Sequence, residues 1–140
     1  MRLNIRHLLV AAASLFAAQS AMAQTIVGSE HDFSTTGWAG GQICVACHAP
    51  HKNNNTTGLL WNHAQTSTVF TLYSSSTLNA GMVQPAGVSK LCLSCHDGTV
   101  ALDSFGGNTG TNFIPSGDNL GTSLANDHPI GFTYDAALVT

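Results

Sequence analysis

The chain has 140 residues and little charge, with four Lys or Arg and seven Asp or Glu, 8 % of the sequence together. That length fits one domain after an export signal. So few basic side chains exclude a nucleic-acid footprint and argue against docking on an anionic membrane surface. Arg2 and Arg6 form a basic n-region, Leu8 to Ala18 is an apolar run broken only by Ser14, and Ala21-Met22-Ala23 fits a small-x-small cleavage site. A signal peptide over 1–23 and a mature chain over 24–140 are expected, because the run is shorter than the ~20 residues of a spanning helix. In the mature chain two lysines, Lys52 and Lys90, stand against seven carboxylates, a net charge of −5. No second apolar run reaches spanning length, so a soluble product, or part of a soluble assembly, is expected.

Residues 24–41 read as extended or irregular, with a histidine set between acids at Glu30-His31-Asp32 and turns at Gly37 and Gly40-Gly41. Gln42 to Cys47 is expected to be a short helix stopped by Pro50. A polar loop follows over 53–58, with formal sequons at Asn54 and Asn55 of a kind common by chance. Leu59 to Val69 is expected to hold a second short helix, with Leu60, Trp61 and Ala64 at helical spacing, and Phe70 to Tyr73 a short strand. Ser89 to Cys95 is expected to be a helix with Ser89 as N-cap, ended at Asp97-Gly98. Residues 106–121 form a Gly/Asn/Thr/Ser loop, and Asp127-His128-Pro129 is stiffened by its proline. Bulky apolar residues are sparse after residue 24, which makes the ~1–2 kcal/mol per residue of backbone ordering hard to offset.

The chemistry lies in a pentapeptide present twice, Cys44-Val45-Ala46-Cys47-His48 and Cys92-Leu93-Ser94-Cys95-His96, with starts 48 residues apart. Two cysteines three apart with histidine next form the attachment signature of a c-type haem. One helical turn sets both thiols on one face, each able to form a thioether to a porphyrin vinyl group, and the next imidazole ligates the iron. All four cysteines are used, leaving none for a structural disulfide. Two Cys-x-x-Cys pairs can also hold zinc, but such ribbons separate their pairs by ~15–20 residues. Here 44 residues lie between Cys47 and Cys92, and zinc needs no histidine after each pair. A thioredoxin-like site would need a βαβ setting, which the pattern lacks.

Two covalently attached haems c are therefore expected, with His48 and His96 proximal. Four histidines remain for the distal positions: His31, His51, His63 and His128. Met82, the one mature methionine, could serve only one haem, so bis-histidine iron is favoured. His51, three residues past His48, points naturally to a neighbouring haem, or is a propionate partner or surface residue. His128, held extended before Pro129, is a distal candidate. His31 is a ligand backed by a carboxylate, or part of a solvated loop. His63, on the expected second helix, is a ligand or a packed core histidine.

The strings Cys44–His51, Leu60-Trp61-Asn62, Tyr73–Leu78, Leu91–Ala101 and His128-Pro129-Ile130, with His31–Ser34, cover most of the mature chain. They resemble the small multihaem c-type cytochromes with paired haem motifs found in metal-reducing and other anaerobic-respiring bacteria. The resemblance implies bis-histidine haems close together, single-electron transfer, and His31, His51 and His128 as the distal set. Some relatives of that kind polymerise into extracellular filaments in which a subunit ligates its neighbour's haem. The expected fold is small and mostly irregular, with short α-helices carrying the haem motifs, little β, and a core formed largely by the two haems. The expected function is an exported electron carrier, periplasmic or extracellular and not an enzyme, serving redox partner proteins such as other cytochromes. A filament subunit is the second reading. A haem reductase or peroxidase is the third, and would need an open iron position and a polar distal pocket that the sequence does not display.

Overall fold

A computed structural model describes residues 25–51, 58, 60–132 and 136–138. The expected signal peptide, the sequons at Asn54 and Asn55, Lys52 and Tyr134 lie outside the described residues. The chain divides into two compact units, Met1–Asp32 and Phe33–Thr140. In the first, Gly28 N donates to Asp32 Oδ2 at 2.8 Å and Asp32 N to Ser29 O at 2.9 Å, closing tight turns around an exposed His31.

The second unit carries both pentapeptides. Among the described residues it has one α-helix, α1 (Gly87–His96), and single turns of 3₁₀ helix at Phe33–Thr35 and Ala136–Leu138. No helix there is long and apolar enough to cross a membrane. Helix α1 begins two residues before the expected start. Its N-cap is Ala86, with no side-chain cap, and Ser89 lies inside the helix rather than capping it. The C-terminus follows its sequence signal. Asp97 N donates to Leu93 O at 2.9 Å and Gly98 N to Cys95 O at 3.4 Å, with Gly98 at φ +72°.

Two expected helices do not form. Residues 42–47 make turns instead, closed by Cys47 N and His48 N donating to Cys44 O at 3.2 and 2.8 Å. Between Gly41 at φ +77° and Pro50 the chain is too short to repay helix nucleation. Residues 60–69 are not helical, and Trp61 and His63 lie in isolated bridges. Leu60 takes a left-handed φ of +51°, which no helix accommodates, and the residues after it find backbone partners elsewhere. Among the described residues, three isolated β-bridges stand in place of a sheet: His48 with Trp61 and His63 with Phe105, both antiparallel, and Thr71 with Ser123, parallel.

The apolar core is thin. Phe70, Leu93 and Leu124 pack together with Leu72 on their edge. Gln84 clasps Phe70 as a strand neighbour would, accepting from Phe70 N at 2.8 Å and donating to Phe70 O at 2.9 Å. Beside this cluster the interior is polar. Ser94, 0 % exposed, donates to Lys90 O at 2.7 Å and accepts from Thr66 N at 3.1 Å. Thr66 Oγ1 meets Thr99 Oγ1 at 3.1 Å, and Thr99 donates to Asp97 Oδ1 at 2.8 Å. Burying hydroxyls in a bonded chain avoids the cost of unmatched polar groups and also fixes their geometry. Trp38 packs between Phe33 (5.1 Å) and Phe105 (6.0 Å).

The Gly/Asn/Thr loop has an anchor that composition hid. Asp103 Oδ1 accepts from Thr111 N and Asn112 N, both at 2.9 Å, and Oδ2 from Asn112 Nδ2 at 2.6 Å. Burial pushes this carboxyl up, but the hydrogen bonds from Asn112, from its own amide and from Thr111 outweigh that and hold it below the ordinary range. A depressed folded value gives stabilisation that is complete above the unfolded pKa, about 3.9, and is lost as pH falls through the folded one. Asp103→Asn should therefore lower stability at neutral pH and flatten its decline below about pH 4. Unfolding midpoints against pH check this, and equal acid limbs in the two proteins would refute it.

Candidate functional site

The second pentapeptide ends α1. Leu91, Leu93 and Ser94 are buried on one side. Cys92 is exposed, with Val88 one turn earlier standing 66 % exposed, and Cys95 and His96 half-buried. Val88 and Cys92, four apart, share a face, and Cys95 follows one turn on. The His96 ring is held from outside the helix. Its Nδ1 lies 3.0 Å from Asp118 O, and Leu120 N donates back to His96 O at 2.7 Å. A carbonyl oxygen only accepts, so Nδ1 carries the hydrogen and Nε2 the lone pair. This is the tautomer a metal-ligating histidine takes when its other nitrogen bonds a backbone carbonyl.

The first pentapeptide has the same closing bond, His48 N to Cys44 O, without a helix around it. A strap, residues 60–64, supplies its support. Ala49 N donates to Leu60 O at 2.8 Å and Asn62 N to Cys47 O at 2.9 Å. The Asn62 side chain donates to Val45 O at 2.7 Å, inside the motif. At Asn62 the strap changes partners: Gly106 N donates to Asn62 O at 3.2 Å and Ala64 N to Ser104 O at 2.8 Å. The His48 and Trp61 rings meet edge-on at 6.2 Å, and Trp61 and His63 at 6.3 Å.

Of the candidate distal histidines, the strap brings His63 against a motif. It is 3 % exposed, with Nε2 3.6 Å from Cys95 Sγ. Its ring nitrogens also face carbonyls, Nδ1 to Ala64 O at 2.7 Å and Nε2 to Ala101 O at 3.0 Å. It sits in a bridge and not on the helix expected from the sequence. His31, in the first unit, His51 and His128 are all exposed. His128 and Met82 border one small cavity with Tyr73 and Leu124, and His128 also lines an open cleft of about 330 Å³ with Thr77 and Asp127.

Sequence reasoning missed Asp118 and Asn62, whose backbone and amide groups hold the motifs. It also treated Asp97 only as a helix terminator. Asp97 is 2 % exposed; Oδ1 accepts from Thr99, while Oδ2 has no hydrogen-bond partner. The signal for Asp97 was its place between His96 and Thr99, a short acid whose side chain can bond backbone two residues on. No such signal marked Asp118, since a main-chain carbonyl does the work.

None of the four cysteines is in a disulfide. Burial, and after it the neighbouring thiols Cys44 and Cys92, pushes the Cys47 thiol up. Burial likewise takes Cys95 up to about 12, helped by Cys47, Cys92 and Asp97. A dithiol redox centre activates its cysteines by lowering their pKa, the opposite direction. The thiols neighbour one another but do not converge. Among the described residues, no three His, Cys, Asp or Glu side chains are grouped as a metal-ion site requires. No protein-family model matches the chain, and no curated protein of known activity matches it either.

Gly98 is the hinge of the His96 clamp. A Cβ there would fall on the Asn119 side chain, between the two residues that hold His96, and the φ of +72° disfavours any other residue. Gly98→Ala should cost the ~1–2 kcal/mol of a left-handed non-glycine residue, and it would also push the Asn119 side chain off its bond with Gly121 N. Thermal unfolding checks this. A loss below about 1 kcal/mol, half the left-handed cost alone, would refute it.

Proposed function

We propose that the chain is an exported dihaem c-type cytochrome that carries single electrons. The observation that carries this reading is the end of α1. There an exposed Cys92, a Cys95 one turn on, and a His96 with its tautomer set for Nε2 ligation follow one another. Cys92 and Cys95 would hold one haem by thioethers with His96 as ligand, and Cys44, Cys47 and His48 the other. Haem iron between two imidazoles supplies a one-electron couple whose two states keep the same ligands. The chain's own part is positional. The Asp118 carbonyl orients His96, and the strap holds the first turn through Cys47 O and Val45 O. Exposed Val88 offers apolar surface beside Cys92 for a macrocycle to cover.

His31, His51 and His128 are the proposed distal donors, with redox proteins as partners. Their shared exposure supports a second reading, a filament subunit whose histidines reach a neighbour's haem.

Expression with a cytochrome c maturation system tests the proposal. The purified protein should carry two haems that survive acid–acetone extraction, with a mass increase of two haem groups over residues 24–140. Cys92→Ala should leave one thioether at the second motif and shift the pyridine haemochrome band. Reduced protein should bind little carbon monoxide. Bound zinc with no covalent haem would end this reading.

A further inference from the structure

We propose that Trp61 is a positioning residue that fixes the plane of the His48 imidazole, the ligand to the first haem. The inference rests on the dihaem reading above and gives a role to a side chain that reading leaves unused. Two backbone bonds flank the pair: Ala49 N donates to Leu60 O at 2.8 Å and Asn62 N to Cys47 O at 2.9 Å. They make His48 and Trp61 the non-hydrogen-bonded pair of their antiparallel bridge, the arrangement that brings opposite side chains closest. The two rings meet accordingly, with centroids 6.2 Å apart and planes at 85°. Trp61 is braced in turn by the His63 ring, at 6.3 Å and 65°. His63 is buried, has Nδ1 2.7 Å from Ala64 O, and belongs to a second bridge, with Phe105. The indole thus ties an exposed His48 to buried, hydrogen-bonded structure.

The pentapeptide by itself leaves the angle of the His48 ring open. Thioethers at Cys44 and Cys47 and a bond at one ring nitrogen set where the imidazole lies, but not how it is turned about that bond. Groups that contact a metal-ligating imidazole from outside set its orientation. For His96 such a group is the Asp118 carbonyl, through a hydrogen bond. For His48 the structure offers the indole, through packing. Aromatic pairs favour an edge-to-face arrangement, so the contact has a preferred angle and resists rotation of either ring. The angle bears on the proposed function, because it decides how the ligand's π orbitals overlap the iron d orbitals. Replacing Trp61 releases that angle at the first haem and leaves the Asp118 clamp at the second intact.

Electron paramagnetic resonance of the oxidised, haem-loaded protein provides the test, since the largest g value of low-spin haem iron follows how its axial imidazoles are turned. Trp61→Leu should shift and broaden one of the two low-spin signals and leave the other in place. The signal that moves should be the one that His48→Met alters by changing the first haem's ligand. Trp61→Phe keeps a ring opposite His48 and should hold both signals near their unsubstituted positions. Unchanged signals in Trp61→Leu overturn the proposal, as does movement of the other signal or of both. A shift in Trp61→Phe as large as in Trp61→Leu overturns it too. In the unsubstituted reduced protein, nuclear Overhauser contacts should join the Trp61 indole and His48 imidazole protons. Their absence overturns the proposal even if no variant matures. Failure of the dihaem reading is seen separately, as an unsubstituted protein without covalent haem.

Discussion

The backbone of five residues, Leu60 to Ala64, joins the parts of this molecule that carry its chemistry. Leu60 O and Asn62 N bond Ala49 and Cys47, at the end of the first pentapeptide; Asn62 O and Ala64 N bond Gly106 and Ser104. At its end His63 reaches the Cys95 sulfur of the second pentapeptide. A segment outside a helix leaves its N–H and C=O groups available to other parts of the chain in this way; a helix would consume them internally. Leu60's left-handed φ turns the chain into the strap, a local cost that the pairing with both segments offsets.

Polar bonding compensates for a small apolar core. Three buried side chains, Phe70, Leu93 and Leu124, form the central cluster. Around them the Ser94–Thr66–Thr99–Asp97 hydroxyl and carboxyl chain, the Gln84 clasp and the Asp103 anchor act as directional fasteners. Each contributes modestly, on the order of 0.5–1.5 kcal/mol net. Such contacts specify geometry better than they store stability. That division suits a protein proposed to take most of its stabilisation from covalently held macrocycles.

The two pentapeptides reach one local geometry by different routes. The second has it as the last turn of α1, where Leu91, Leu93 and Ser94 anchor the buried face and Gly98 stops the helix. The first has it as an isolated turn, pinned by Asn62 from outside. Cysteine spacing fixes what an attachment turn must look like; the surroundings decide what holds it. The same difference places a buried imidazole at Cys95 and only an amide near Val45.

The two pentapeptides, the α1 segment and its Asp97-Gly98 end were legible in the chain, because each rests on a spacing of five residues or fewer. The expected helices at 42–47 and 59–69 are not seen: the first segment is too short to repay nucleation, and the described part of the second, 60–69, has backbone bonds to residues that its local pattern does not contain. His63 had two readings from sequence, ligand or packed histidine; only tertiary contacts place it against Cys95 and between two carbonyls. The Asp118 clamp on His96 was beyond reach for a simpler reason: any residue has a carbonyl, so nothing in its side chain announces the role. Sequence alone therefore determined which atoms can bind, through covalent chemistry and short-range geometry. The tertiary structure decided what orients them, because orientation here comes from backbone groups and one side-chain amide brought from 15 to 24 residues away.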